Sequence, residues 1–214
     1  MLDTVIIGGG TGGYVSAIRI SQHGGNVILV ERDKMGGLCL NRGCIPTKFL
    51  VQNTRQLAAV KKNPVISGDV SIDYEKLVSR KNQVTGMLCK GLEMLMGSHG
   101  VKIIKGTAIP ESPNVIRVLH SDGKEEKLET KNLIIATGSE PISVPGISPD
   151  GIRILTSDDI LAMSSLPANL LILGGGYIGV EFASIFSSLG CKVTIVEEMP
   201  DILQGIDQDL GKMI

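Results

Sequence analysis

Cys39 and Cys44 stand five residues apart in the run Gly36-Gly37-Leu38-Cys39-Leu40-Asn41-Arg42-Gly43-Cys44-Ile45-Pro46-Thr47-Lys48. Two thiols at this spacing, at the mouth of a helix, can close a small disulfide ring. The positive end of that helix lowers the pKa of whichever becomes thiolate. Read this way they form a redox pair. The other readings are structural buried cysteines or half of a zinc site, but zinc asks for a second close pair. Cys89 and Cys191 stand alone and read as core or surface thiols.

A second group of residues with chemical meaning occurs twice. Shifting the sequence by 166 positions aligns residues 5–33 with 171–199 without a gap, and 11 of the 29 positions are identical. Gly8, Gly10 and Gly13 recur as Gly174, Gly176 and Gly179, and Glu31 recurs as Glu197. Each copy reads as a buried strand, a glycine turn, a helix, a glycine stop and a second strand ending in an acid, which is a βαβ unit. The first glycine permits the tight turn, the second lets the backbone approach a pyrophosphate, and the third lets helix and strand pack closely. The phosphate then meets free N–H groups at the helix N-terminus, and the acid at the second strand's tip can accept hydrogen bonds from a ribose diol. One such motif is a weak signal, but two with the same context and spacing point to two dinucleotides. At the second, Glu197 followed by Glu198 repels a 2′-phosphate, so NAD is expected rather than NADP.

The elements that must carry these residues follow from periodicity. A helix is expected from 41 to about 62, with Pro46 in its first turn, where its missing N–H costs nothing. A second is expected from Asp73 to Ser98, where Tyr74, Leu77, Val78, Val84, Leu88, Leu92 and Leu95 recur at helical spacing and Met87, Met94 and Met96 join the packing face. Short strands are expected at Val101–Ile104 and Val115–Leu119, with a hairpin turn at Asp122-Gly123, and a buried strand at Leu133–Ala136 stopping at Thr137-Gly138-Ser139. Pro141, Pro145, Gly146 and Pro149 mark a stiff linker and a boundary near 145. The fold class is α/β with two Rossmann-like units, the second incomplete: a first domain over 1–145, a linker over 146–167, and half of a second domain over 168–214. The run 201–214 reads as the lead-in to a helix.

Composition narrows the partners. The 214 residues carry 21 basic and 22 acidic side chains, so no basic footprint points to nucleic acid or to a membrane surface. No apolar run approaches the roughly 18–20 residues a membrane helix needs, and the N-terminus does not read as a signal peptide. A cytoplasmic protein is expected. Glycine fills 27 positions, and most of the excess falls in the turns just described.

The double-cysteine run, flanked by two nucleotide fingerprints, resembles the class I flavoprotein disulfide reductases over the whole chain. Ile45 and Lys48 make it most similar to the dihydrolipoamide dehydrogenase branch. The resemblance implies that Gly8, Gly10 and Gly13 hold the FAD pyrophosphate, with Glu31 on the adenosine ribose, Gly106 beside the adenine, Thr137, Gly138 and Ser139 lining the FAD, and Gly37 and Lys48 also among the FAD residues. It implies that Cys39 is the interchange thiol that meets a dithiol substrate and Cys44 the charge-transfer thiol against the flavin. Lys48 is placed near the flavin and paired with Glu181. From the residues alone, Glu181 reads only as a first-turn carboxylate favoured by the helix dipole. Gly174, Gly176, Tyr177, Gly179, Glu181 and Glu197 are the NAD residues. The implied reaction passes electrons from dihydrolipoamide through the disulfide and FAD to NAD⁺. The implied partners are the lipoyl-bearing subunit of a 2-oxoacid dehydrogenase or glycine cleavage complex and a second copy of the full-length chain.

Three departures stand out. Leu38 replaces a threonine common in the family, and Tyr177 resembles the nicotinamide-gating tyrosine of glutathione reductases. Nothing matches the family's C-terminal histidine base: His23 ends a helix, His99 precedes a strand and His120 lies in a hairpin. The chain is therefore expected to be an N-terminal part that is inactive alone. Another disulfide or metal-ion reductase of the same superfamily, glutathione- or mercuric-reductase-like, stays open as an alternative. So does a non-catalytic nucleotide-binding module with a thiol switch.

Overall fold

The computed structural model describes residues 1–142, 144–211 and 213. Two compact units emerge, residues 1–45 with 83–144, and residues 46–82 with 145–214. Residues 46–82, read from sequence as part of the first domain, therefore group with the second unit.

The first unit opens with the expected βαβ: strand β1 (Leu2–Ile7), helix α1 (Thr11–Gln22) and strand β2 (Val27–Glu31). The short helix α2 (Gly37–Arg42) and the start of α3 (Cys44–Lys62) follow, and the chain returns to this unit along α4 (Tyr74–Ser98). Strands β3 (Lys102–Lys105), β4 (Thr107–Ser112), β5 (Val115–Leu119) and β6 (Glu125–Ile135) complete a sheet ordered β3-β2-β1-β6-β5-β4. The long strand β6 changes partner midway. Glu125–Glu129 pairs antiparallel with β5, whereas Thr130–Ile135 pairs parallel with β1. At the change, Thr130 is fully buried and its backbone N–H donates to the Asn114 carbonyl at 3.0 Å.

Alternation along β1 sends side chains to two cores, as a parallel strand covered on both faces requires. Val5 and Ile7 pack with Ile28, Val30, Ile116, Val118 and Leu128, while Ile6 packs with Ala17, Leu29, Met35 and Met96. Three sequence expectations need correction here. Strand β4 was not expected, because Pro110 and its exposed positions hide a strand that, among the described residues, pairs only with β5. The strand expected at 133–136 is the end of the longer β6, and its Ile135 is 65% exposed at the sheet's carboxyl edge rather than buried. Of the methionines assigned to the packing face of α4, only Met96 is buried; Met87 and Met94 lie on the outer side. Leu88 and Leu95 are exposed as well, because the inward line runs instead through Leu92 and Met96.

The second unit holds the body of α3, the first turns of α4, α5 (Ser157–Ala162), β7 (Asn169–Leu173), α6 (Tyr177–Ser188), β8 (Lys192–Val196) and the short α7 (Gln208–Gly211). Residues 212 and 214 of the run expected to lead into a helix lie outside the described residues. Strands β7 and β8 pair in parallel, and Phe182, Ile185 and Phe186 of α6 pack with Leu50, Leu77, Ile160 and Leu161. The rings of Phe182 and Phe186 meet edge to face, with centroids 6.4 Å apart. Helix α5 falls inside the expected linker. Its signal was present as Thr156-Ser157-Asp158-Asp159, a capping box in which the Thr156 side chain accepts from the Asp159 N–H and the Asp159 carboxylate accepts from the Thr156 N–H.

Lys81 is an unexpected member of this core. It is 4% exposed, and its ammonium donates to the Leu161 carbonyl at the end of α5. Burial pushes its pKa below the usual lysine value. In the window between that lowered pKa and the ordinary lysine value, the unfolded chain binds more protons than the folded one, so stability rises as pH rises through it. Lys81→Met is expected to abolish this alkaline gain, measured as the pH dependence of the urea unfolding midpoint. Parallel pH profiles for the two proteins would contradict it.

Among the described residues, no helix is long and apolar enough to cross a membrane.

Candidate nucleotide and disulfide site

In the first fingerprint the chain leaves β1 at Ile7 and turns on Gly8, whose φ of +106° is a left-handed value that favours glycine. Its N–H donates to the Val30 carbonyl at 2.8 Å, so the turn is tied to β2. A Cβ at Gly13 would stand 1.8 Å from the Gly8 carbonyl oxygen, which is the close helix–strand approach that the third glycine permits. Gly10 caps α1 without a side-chain hydrogen bond, and the first N–H groups of the helix, at Thr11 and Gly12, line the cleft in front of it. That end of the helix carries the positive pole of its dipole.

Glu31 does more than its sequence position suggested. It is 9% exposed, and its two carboxylate oxygens accept separate backbone N–H groups, from Gly9 at 2.6 Å and Asp33 at 2.7 Å. It thus clips the glycine loop to the end of β2. Each oxygen keeps a further lone pair for a hydroxyl.

The cleft has a volume of about 450 Å³ and brings together Gly8, Gly10, Glu31, Gly37, Cys39 and the Thr137-Gly138-Ser139 turn. Gly13 lies beneath the turn and serves packing. Gly106, expected beside an adenine, is not in the lining: its N–H donates to the Glu31 carbonyl, and a Cβ there would meet the Leu119 carbonyl oxygen at 2.7 Å. Its glycine is thus explained by β-strand packing. Arg32, Lys34 and Arg42, not singled out from the sequence, also line the cleft, although the first two lie within three residues of the acid that ends β2. Arg32 is held by Glu140 at 2.9 Å. Leu38 lines the cleft too, so its missing hydroxyl is removed from a wall of the site itself.

Cys39 lies on α2 and Cys44 is the first residue of α3, separated by the break at Gly43. The single helix expected from 41 therefore begins as two. Cys39 is half-buried and Cys44 exposed. The Cys39 pKa is raised, first by its hydrogen bond with the Cys44 side chain, then by burial and by the charge Cys44 would carry. The Cys44 backbone N–H, at the start of α3, acts in the opposite sense but more weakly. At Cys39 the neighbouring thiol, together with burial, outweighs the backbone N–H at the start of α3.

The second fingerprint repeats the first in detail. Gly174 has φ of +99°, its N–H donates to Val196 at 2.8 Å, and a Cβ at Gly179 would stand 2.1 Å from the Gly174 carbonyl oxygen. Gly176 caps α6. Glu197 accepts from Gly175 N–H at 2.5 Å and Met199 N–H at 2.9 Å, and these bonds, that of Met199 first, hold its carboxyl below the usual glutamate range. Tyr177 opens α6 and is 64% exposed. Glu181 lies in the second turn of α6, not the first, so the helix dipole does not account for it. Its partner is Lys48 of α3, and the two form the ion pair that the resemblance implied. Both belong to the second unit. The pair is partly exposed, so Glu181→Gln is expected to cost no more than about 1 kcal/mol in urea unfolding. A larger loss would show that the pair is structural.

The family described as pyridine nucleotide-disulphide oxidoreductase matches residues 2–214. The chain is 40% identical over 217 residues to the dihydrolipoyl dehydrogenase of Bacillus subtilis, covering 99% of this chain and 47% of that protein. It is also 40% identical over 218 residues to the dihydrolipoamide dehydrogenase of Chaetomium thermophilum, covering 99% of this chain and 43% of that protein. Among solved structures, the HOCl-induced flavoprotein disulfide reductase RclA from Escherichia coli, as its Cu(II) complex, superposes with a TM-score of 0.85 at 32% identity, over 99% of this chain and 45% of that one. The chain thus spans about half the length of the relatives it matches. With its two glycine turns, its paired thiols and a family match over nearly every residue, this chain belongs to the pyridine nucleotide-disulphide oxidoreductases.

Proposed function

We propose that the chain is the thiol-bearing part of a dihydrolipoyl dehydrogenase, which oxidises protein-bound dihydrolipoamide and passes the electrons to NAD⁺. The observation that carries this reading is the contact of Cys39 with Cys44, with Cys39 in the wall of a cleft floored by a phosphate-type glycine turn. The residues of the cleft suit FAD: the start of α1, with its free N–H groups, lies in its wall, Gly10 brings no side chain there, and Glu31 retains lone pairs for a ribose. Gly8, Gly10, Gly37, Glu31 and Thr137–Ser139 would hold it. When bound, FAD supplies a two-electron acceptor that can pass a hydride to the nicotinamide. Residues 1–145, with the segment 46–82 that groups with the second unit, are then the FAD domain and 168–214 the first half of the NAD domain, joined through 146–167. Glu197 and Glu198 at the second turn favour NAD over a 2′-phosphorylated form.

The chain's own chemistry is thiol exchange. A substrate thiolate attacks the Cys39 sulfur of the Cys39–Cys44 disulfide, and the Cys44 thiolate leaves at the start of α3. The second substrate thiol, as thiolate, then attacks the mixed disulfide, closing the substrate's disulfide and releasing the Cys39 thiolate. Two electrons move from substrate to protein, and the substrate's two protons pass to solvent or to the thiolates. The partners on this reading are a lipoyl-bearing subunit and a second full-length copy, in the cytoplasm.

In the FAD-loaded full-length protein, Cys44→Ser is expected to remove the long-wavelength absorbance of the half-reduced state; persistence of that band would refute the assignment. An alternative reductase of the same family is favoured by the exposed Tyr177 and the likeness to RclA. Reduction of the Cys39–Cys44 disulfide by dihydrolipoamide, but not by glutathione, decides between them.

A further inference from the structure

Cys89 lies outside both fingerprints, on the part of α4 that belongs to the first unit, yet it faces the redox loop. Its Sγ stands 3.1 Å from Asn41 Oδ1 and 3.4 Å from the Met35 carbonyl oxygen. Asn41 lies on α2 between the two redox cysteines, and its Nδ2 donates to the Met35 and Gly37 carbonyls, each at 3.0 Å. A carboxamide has two N–H donors and one acceptor oxygen. Both donors here meet carbonyls, and the oxygen meets the Cys89 S–H. Turning the amide over would set its oxygen against two carbonyl oxygens and its N–H groups against the thiol. Cys89 therefore completes the hydrogen bonding that holds Asn41 in this orientation.

Helix α2 needs this support. It has six residues, too few to hold a helix by itself, and its cap Gly36 offers no side chain. Met35, fully buried in front of it, supplies the carbonyl on which Asn41 and Cys89 converge. Burial pushes the Cys89 thiol up, which keeps the proton that the network uses.

We propose that Cys89 and Asn41 are positioning residues for disulfide exchange at Cys39: the Cys89 S–H orients the Asn41 amide, the amide anchors α2, and α2 holds Cys39 against Cys44. The proposal rests on the redox reading of the Cys39–Cys44 pair. Neither residue carries electrons. Their effect is on the effective concentration of one thiol at the other, and so on the equilibrium between dithiol and disulfide.

The test equilibrates the intact chain in dithiothreitol redox buffers, traps free thiols, and measures the Cys39–Cys44 disulfide by peptide mass. Cys89→Ala is expected to lower the equilibrium constant for closing the disulfide about threefold, and Asn41→Ala, which loses two donors, about tenfold. Cys89→Ser, which keeps an O–H donor, should match the parent. The double variant Asn41→Ala with Cys89→Ala should fall no further than Asn41→Ala alone, because Cys89 acts through Asn41. A wild-type constant in Cys89→Ala, no rescue in Cys89→Ser, or additive losses in the double variant would each overturn the proposal. A parent chain that closes no Cys39–Cys44 disulfide in any buffer would instead refute the redox reading itself, and the positioning role with it.

Discussion

Gly13→Ala is expected to destabilise the first unit by about 3 kcal/mol or more, and to abolish retention of FAD, because overpacking at a fixed backbone has no cheap relief. The added methyl would stand 1.8 Å from the Gly8 carbonyl oxygen, and that oxygen cannot retreat. Gly8 is pinned by its hydrogen bond to Val30, and the position of its own Cβ is only 2.1 Å from the Ala136 carbonyl oxygen. Helix α1 would have to lift off the sheet, opening the core in which Ala17 packs against Ile6 and Leu29. The repeat supplies a second instance, since Gly179→Ala meets the Gly174 carbonyl oxygen at 2.1 Å. Gly86→Ala on α4 is the control. Nothing lies within 4 Å of its Cβ position, so the helix should gain up to about 1 kcal/mol from better propensity. Urea unfolding of the three variants checks the stabilities and flavin absorbance of the Gly13→Ala protein checks FAD retention; equal effects at Gly13 and Gly86 would show that the clash is not what glycine avoids.

Cys44→Ala is expected to eliminate exchange with dithiols altogether, since Cys39 then has no partner with which to form the ring. It should also change Cys39 in a way that a merely structural residue would not. The first cause holding the Cys39 pKa up is the hydrogen bond with the Cys44 side chain; it and the Cys44 charge disappear, while burial and the opposing backbone N–H of residue 44 remain. The pKa falls, more thiolate is present at a given pH, and the midpoint of the pH profile for alkylation of Cys39 moves to lower pH. A midpoint that stays in place or rises would show that the two sulfurs are not in electrical contact in solution.

Much of the site was legible before any coordinates because its geometry is local. Gly8, Gly10 and Gly13 fall within six residues, and their spacing alone sets the turn, the cap and the helix contact. The same holds at Gly174, Gly176 and Gly179, and for the cysteines five residues apart. Strand β5 was read to its exact ends because Val115, Ile116, Val118 and Leu119 carry a strand composition between turn residues. The ion pair of Lys48 with Glu181, 133 residues apart, came from resemblance and not from any pattern in the residues.

What the sequence by itself determined about this protein is therefore its α/β class, its two nucleotide turns and its thiol pair, each set by neighbours along the chain. Only the tertiary structure decided the rest. It grouped 46–82 with 145–214, exposed Met87 and Met94, and gave β6 two partners. It turned Glu31 and Glu197 into clips on their glycine loops, packed Gly106 against the Leu119 carbonyl, and set Cys89 against Asn41. The reason is the same in every case: which face of a strand or helix is covered, and which polar group meets which, depends on segments tens to more than a hundred residues away, and a periodic pattern does not carry that pairing.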